Sequence, residues 1–297
     1  MNEFDTDDEL TEPTLLEELG WAVRGGGAIQ MTIEQLRTQG KASETLELLR
    51  TALCEPEPIA RATACLGMEY LADPAAVAVL KPMLGDPDPL VVVRAAAALD
   101  SFGEPASTLI PRMREILRLP EPPLPQGRQR ITSQCAYLQL PEAHYHAARI
   151  LGWFGVEAAS AREDLVKALE SCSAMVRAEA AQALAGMGEP KETYLPPLHE
   201  ALKDTAVQSP RERVSAAEAL VELGEQPASI IPAIIDLVQD EDWTTAGRAI
   251  HLLGEWGERA IDAVPALRAA QTCGRQDIAD EAASTLARIA ERLRRPL

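Results

Sequence analysis

Seven stretches of this chain repeat one arrangement of small and apolar positions, and each ends in Gly or Ala. ARATACLGMEYLA closes at Ala72, VVVRAAAALDSFG at Gly103, AHYHAARILGWFG at Gly155 and VRAEAAQALAGMG at Gly188. ERVSAAEALVELG, TAGRAIHLLGEWG and IADEAASTLARIA follow, closing at Gly224, Gly257 and Ala290. Eight places before each close stand Ala64, Ala95, Ala147, Ala180, Ala216, Ala249 and Ala282; four places before it stand Met68, Leu99, Leu151, Leu184, Leu220, Leu253 and Leu286. One place before it the side chain is again large and apolar, from Leu71 to Ile289. Offsets of three and four residues put these positions on one buried stripe of a helix. The closing Gly suits the left-handed conformation that ends a helix, and Pro190 and Pro227 soon after it keep the helix from resuming.

Shorter apolar segments lie between these helices, among them ASETLELLRTAL, STLIPRMREIL, TYLPPLHEAL and SIIPAIIDLV. Turns such as GDPDP and QDEDW join each to its partner. One repeat is therefore an antiparallel helix pair. The closing residues are 31, 52, 33, 36, 33 and 33 positions apart, a period that belongs to stacked helical arrays. The single long interval marks an insertion at about residues 119–143, which opens on a stiff stretch with Pro120, Pro122, Pro123 and Pro125. Residues 1–20 are expected to form an acidic, disordered tail, 21–42 a capping segment, and 43–297 the array itself. Gly25, Gly26 and Gly27 serve as a joint before the cap, since no strand precedes them and no GK[ST] follows.

The run LVKALESCSAMVRAEAAQALAGMG, with Val176-Arg177 and its AA–AL–G spacing, resembles a HEAT-type repeat of the short bacterial kind, which also occurs in phycobilisome lyases. The resemblance spans roughly residues 43–292. It implies an all-α, right-handed α-solenoid of about seven HEAT-like helix pairs, with the second helix of each pair lining the concave side. The family's Arg at the start of the second helix is matched by Arg61, Arg177 and Arg213; Val92, His144, Ala246 and Ala279 stand there in the other repeats.

Composition agrees with closely packed helices. Apolar residues make up 46% and aromatic ones 4%, so Ala, Leu, Val and Ile build the core. No apolar run reaches the roughly 18 residues of a membrane span. MNEFDTDDEL lacks the basic-then-apolar order of a signal peptide, and Cys54, Cys65, Cys135, Cys172 and Cys273 form no CxxC pair. A cytoplasmic protein with reduced thiols is expected. The net charge is −18, and residues 1–18 supply eight of the acidic groups without a Lys or Arg.

Three exposed columns of the second helices fall on the side that the resemblance implies is concave. They run Thr63, Arg94, His146, Glu179, Ser215, Arg248, Glu281; then Leu66, Ala97, Arg149, Gln182, Glu218, His251, Ser284; and Tyr70, Ser101, Trp153, Gly186, Glu222, Glu255, Arg288. Four Arg stand against five Glu with no Lys, so the surface does not suit a phosphate backbone. HEAT-type iron hydroxylases carry a set of His-Glu pairs, whereas this chain has one, His199-Glu200. His144, His146 and His251 lie in two distant repeats, and no Ser-His-Asp or Cys-His arrangement emerges. No metal, cofactor or catalytic activity is therefore expected.

The expected role is a monomeric, non-enzymatic HEAT-like scaffold that binds a protein partner, not nucleic acid or membrane, through its concave face and the third-repeat insertion. Arg94, His146, Arg149, Trp153, Glu218, Glu222, Arg248 and Glu255 are the candidate contact residues. One concrete form is an acidic inhibitor or immunity-type protein for a basic partner, since the negative charge speeds association. The alternative is a small-molecule-binding or lyase-like enzyme accessory module with Trp153, Tyr145 and Arg149 as walls. Trp153 is equally compatible with a structural lid beneath the insertion.

Overall fold

Chemistry at the helix junctions decides where each element starts and stops. The computed structural model describes residues 14–25, 29–121, 136–203 and 210–293, and every regular element among them is helical. The chain divides into two compact units, residues 1–112 and 113–297.

In the first unit α1 (Leu15–Gly25), α2 (Gln30–Thr38) and α3 (Ala42–Ala52) all pack on α4 (Pro58–Leu71). α5 (Ala76–Leu80), prolonged by a 3-10 turn at Lys81–Gly85, leads to α6 (Pro89–Ser101), which lies against α4. Pro58 and Pro89 open their helices, where a missing N–H costs nothing. Asp88 caps α6 by accepting the Leu90 N–H at 2.9 Å. α7 (Ala106–Leu117) carries the boundary between the units.

The second unit contains α8 (Ala136–Phe154), α9 (Arg162–Ala168), α10 (Ala174–Gly186), α11 (Lys191–Lys203) and α12 (Pro210–Glu222), then α13 (Pro227–Ile235), α14 (Trp243–Trp256), α15 (Val264–Ala270) and α16 (Gln276–Leu293). The even-numbered helices form a row in which α8 packs on α10, α10 on α12, α12 on α14 and α14 on α16. The odd-numbered ones back them, α9 on α10, α11 on α12, α13 on α14 and α15 on α16. This is the helix-pair repeat that the hydrophobic pattern predicts.

Each repeated column has one structural role. All seven of the Ala from Ala64 to Ala282 are wholly buried, and so are the residues of the Leu column from Met68 to Leu253, with Leu286 9% exposed. The closing residues Gly103, Gly155, Gly188, Gly224 and Gly257 have φ between +49° and +85°, as left-handed helix ends require. Ala72 fills the same position at φ +54°, at a cost of roughly 1–2 kcal/mol from its Cβ. Ala290 differs, because α16 continues past it to Leu293.

Two of the three matched family Arg residues tie neighbouring segments together. Arg61 bonds Asp86 and donates to the carbonyls of Glu55 and Pro56, while Arg213 donates to those of Leu202 and Ala233. At the same column His144 is only 2% exposed, with Nδ1 3.6 Å from Oε1 of Glu121. The other oxygen of Glu121 accepts the N–H of Cys172 at 3.0 Å.

Two boundaries differ from the sequence expectation. α1 begins inside the segment assigned to the acidic tail: Thr14 and Glu17 bond each other's backbone N–H at 3.3 and 2.9 Å, a capping box, and Leu19 and Val23 are buried below it. Residues 1–13 lie outside the described residues, as do 26–28, which include two of the three joint glycines. In the insertion, 122–135 lie outside them too, while 136–143 form the opening turns of α8.

Candidate partner-binding face

A row of like helices brings equivalent positions side by side, so the polar columns of α8, α10, α12, α14 and α16 form one face in the second unit. On α8, Tyr145, Arg149 and Trp153 follow at intervals of four and share one side of the helix. The Arg149 guanidinium carbon lies 5.2 Å from the Tyr145 ring centroid and 5.3 Å from that of Trp153, a cation held between two aromatic side chains. Its Nη2 donates to Nδ1 of His146 at 3.0 Å. Since a guanidinium only donates, this contact assigns the His146 ring proton to Nε2, which lies 3.7 Å from a Glu142 carboxylate oxygen. Trp153 itself is 51% exposed.

On α10, Glu179 interacts with the Tyr145 hydroxyl. Burial pushes the Glu179 carboxyl above its ordinary value, and nearby Glu222 adds to this; Tyr145 and Arg149 oppose the shift without overcoming it. Burial also lifts the Tyr145 hydroxyl, helped by the Glu179 charge. Gln182 Nε2 donates to Oε2 of Glu222 on α12. Arg248 of α14 reaches back to α12, with Nε donating to Oε1 of Glu218 at 3.1 Å, and Nη2 to Oε2 of Glu218 and to Oγ of Ser215. His251 faces Glu255 at 3.5 Å and Glu281 at 3.8 Å, and Arg288 lies 3.6 Å from Glu281.

Most of the candidate contact residues therefore have side-chain partners on this face. Arg149 stacks with Trp153, Glu218 pairs with Arg248, Glu222 is held by Gln182, and Glu255 faces His251. Arg94 stands half-buried on α6 of the first unit. His146 departs from the sequence reading: it is 6% exposed, not a surface group, because Tyr145 meets its ring edge-on and Arg149 bonds it. Thr63 is buried in the same column. The roles of Glu179 and Gln182 as cross-helix partners were not singled out from the sequence, although both stand in the polar columns.

His199 faces Glu225 at 3.3 Å. Among the described residues, no three His, Cys, Asp or Glu side chains converge as a metal ion would need. No helix among them is long and apolar enough to cross a membrane.

The fold and its repeated columns define a class, and comparison with known proteins agrees. Residues 32–126 and 136–220 match the family described as HEAT repeats, and the chain belongs to that family. None of the curated proteins matches it in sequence. Among solved structures it is similar to YibA of Escherichia coli, with 14% identity over 84% of this chain and 96% of that one at a TM-score of 0.47. It is also similar to an engineered protein, with 20% identity over 95% of this chain and 76% of that one at 0.39. Human deoxyhypusine hydroxylase in complex with glycerol is a third, with 20% identity over 86% and 88% at 0.33. Membership of a fold leaves the role to be argued from the site.

Proposed function

We propose that this protein is a non-enzymatic HEAT-repeat scaffold that binds a protein partner along the polar face of α8, α10, α12, α14 and α16. The observation that carries this reading is the half-exposed Trp153, braced by Arg149 and flanked by side chains that pair across helices. Trp and Arg are the residues most enriched among interface anchors, and a braced side chain loses little freedom on binding. Five Glu and three Arg line this face, and the whole chain carries −18, which favours a basic partner. An acidic inhibitor or immunity-type protein, cytoplasmic and monomeric, is the concrete form, with no nucleic acid or membrane engaged.

The test is capture of a partner from cell lysate by the wild-type chain and by Trp153→Ala and Glu222→Lys, with melting recorded for each. The expected result is a basic protein retained by wild type, released by salt, and lost in both variants at unchanged melting temperature. Retention by both variants would remove this face from the interaction.

A further inference from the structure

We propose that Trp153, Gly186 and Glu222 form a notch that receives one Lys or Arg side chain from a basic segment of the partner. This inference rests on the reading of the face as a protein-binding one. The three residues hold the same place, two before the closing Gly, on the adjacent helices α8, α10 and α12. An aromatic ring and a carboxylate thus stand on either side of a residue without a side chain. A Cβ added at Gly186 would meet nothing within 4 Å, so the space above it is open.

The walls are fixed. α8 and α10 approach closely, since a Cβ at Gly152 would lie 3.5 Å from the Cα of Ala183, and one at Gly155 would lie 3.7 Å from the Gly186 carbonyl oxygen. Arg149 stacks against Trp153 and braces it, and Gln182, one turn before Gly186, tethers the Glu222 carboxylate. Behind them stands Glu179, which interacts with both Arg149 and Glu222.

The chemistry of this notch selects a cation on a flexible stem. An ammonium or guanidinium interacts favourably with an indole face and pairs with a carboxylate, while its methylene stem covers apolar surface. An acidic side chain would meet Glu222. A short apolar one would leave that carboxylate partly desolvated and unmatched. The −18 charge of the chain brings a basic segment to the face, and the notch gives it register.

The experiment titrates a hexa-arginine peptide into wild type and four variants by calorimetry. Gly186→Leu fills the notch without changing charge; Trp153→Ala removes one wall and Glu222→Gln the charge of the other. Glu258→Gln removes an equal charge at an exposed position outside the notch. The expected result is about tenfold weaker binding for each of the first three, at unchanged melting, and wild-type affinity for Glu258→Gln. Wild-type affinity in Gly186→Leu, or an equal loss in Glu258→Gln, overturns the notch. A photo-crosslinker at the exposed His251, on the same face, reads the underlying proposal separately. A protein crosslinked there while Gly186→Leu binds normally means that the face stands and the notch falls. No protein crosslinked there counts against the face as a whole.

Discussion

Arg61 holds Asp86 through two parallel hydrogen bonds, Nε to Oδ2 and Nη2 to Oδ1, each 2.9 Å long. The two side chains are only 12% and 6% exposed, and Asp86 also accepts the N–H of Asp88. The pair ties the turn before α4 to the turn before α6. Breaking it by Asp86→Ala strands a guanidinium away from water, and the expected cost is about 3–5 kcal/mol. Urea unfolding of the variant measures it; a loss below about 1 kcal/mol would show that the pair behaves as an exposed one.

The wholly buried Ala180 and Ala216 set how closely α10 and α12 approach their neighbours. Ala180→Leu or Ala216→Leu should overpack the row and lower stability by about 1–3 kcal/mol. Unchanged unfolding in either would mean that the Ala column has slack that its burial does not suggest.

α1 depends on its cap and on Leu19. Thr14→Ala should cost about 0.5–2 kcal/mol by removing the cap, and Leu19→Ala about 2–5 kcal/mol by leaving a cavity against the helices it touches. Thermal melting of the two variants gives the order directly, with Leu19→Ala the lower.

Stability should fall as pH drops below neutrality. Burial holds the His144 imidazole below its ordinary value, and the pull of Glu121 in the opposite direction does not offset it. The unfolded chain takes up a proton near pH 6.5 while the folded chain resists, so the contribution is complete above about 6.5 and lost as pH falls through the folded value. Glu179 works the other way, since its raised carboxyl protonates in the folded chain before the unfolded one and stabilises it on the acid side. His144→Gln should therefore flatten the loss of stability between about pH 7 and 5.5, and Glu179→Gln should remove a stabilising contribution on the acid side. Denaturant midpoints across that range decide; a slope unchanged by His144→Gln would place its origin elsewhere.

The helix pairs were legible because every repeat keeps its Ala and its Leu or Met at fixed distances from a closing Gly or Ala. Arg248 and Ser215 show why the face was only half legible. They occupy the same column one period apart, so their adjacency follows from the repeat, and their hydrogen bond across 33 residues bears this out. The pairing of Arg248 with Glu218 depends on how a side chain leans between helices, which periodicity does not specify. His146 stands in a polar column, yet whether Tyr145 and Arg149 fold over it depends on rotamers, which the spacing does not specify. The Thr14–Glu17 cap lay hidden in an acidic run, where charge density masked the short apolar period of Leu15, Leu19 and Val23.

Ala72 sits in a backbone conformation that the other helix ends reserve for Gly, and among the described residues it alone does so with a side chain. Any alanine codon becomes a glycine codon by a change of its second base. The first repeat thus stands one nucleotide from a relaxed junction, and a population of this gene under pressure for stability would have that substitution within immediate mutational reach.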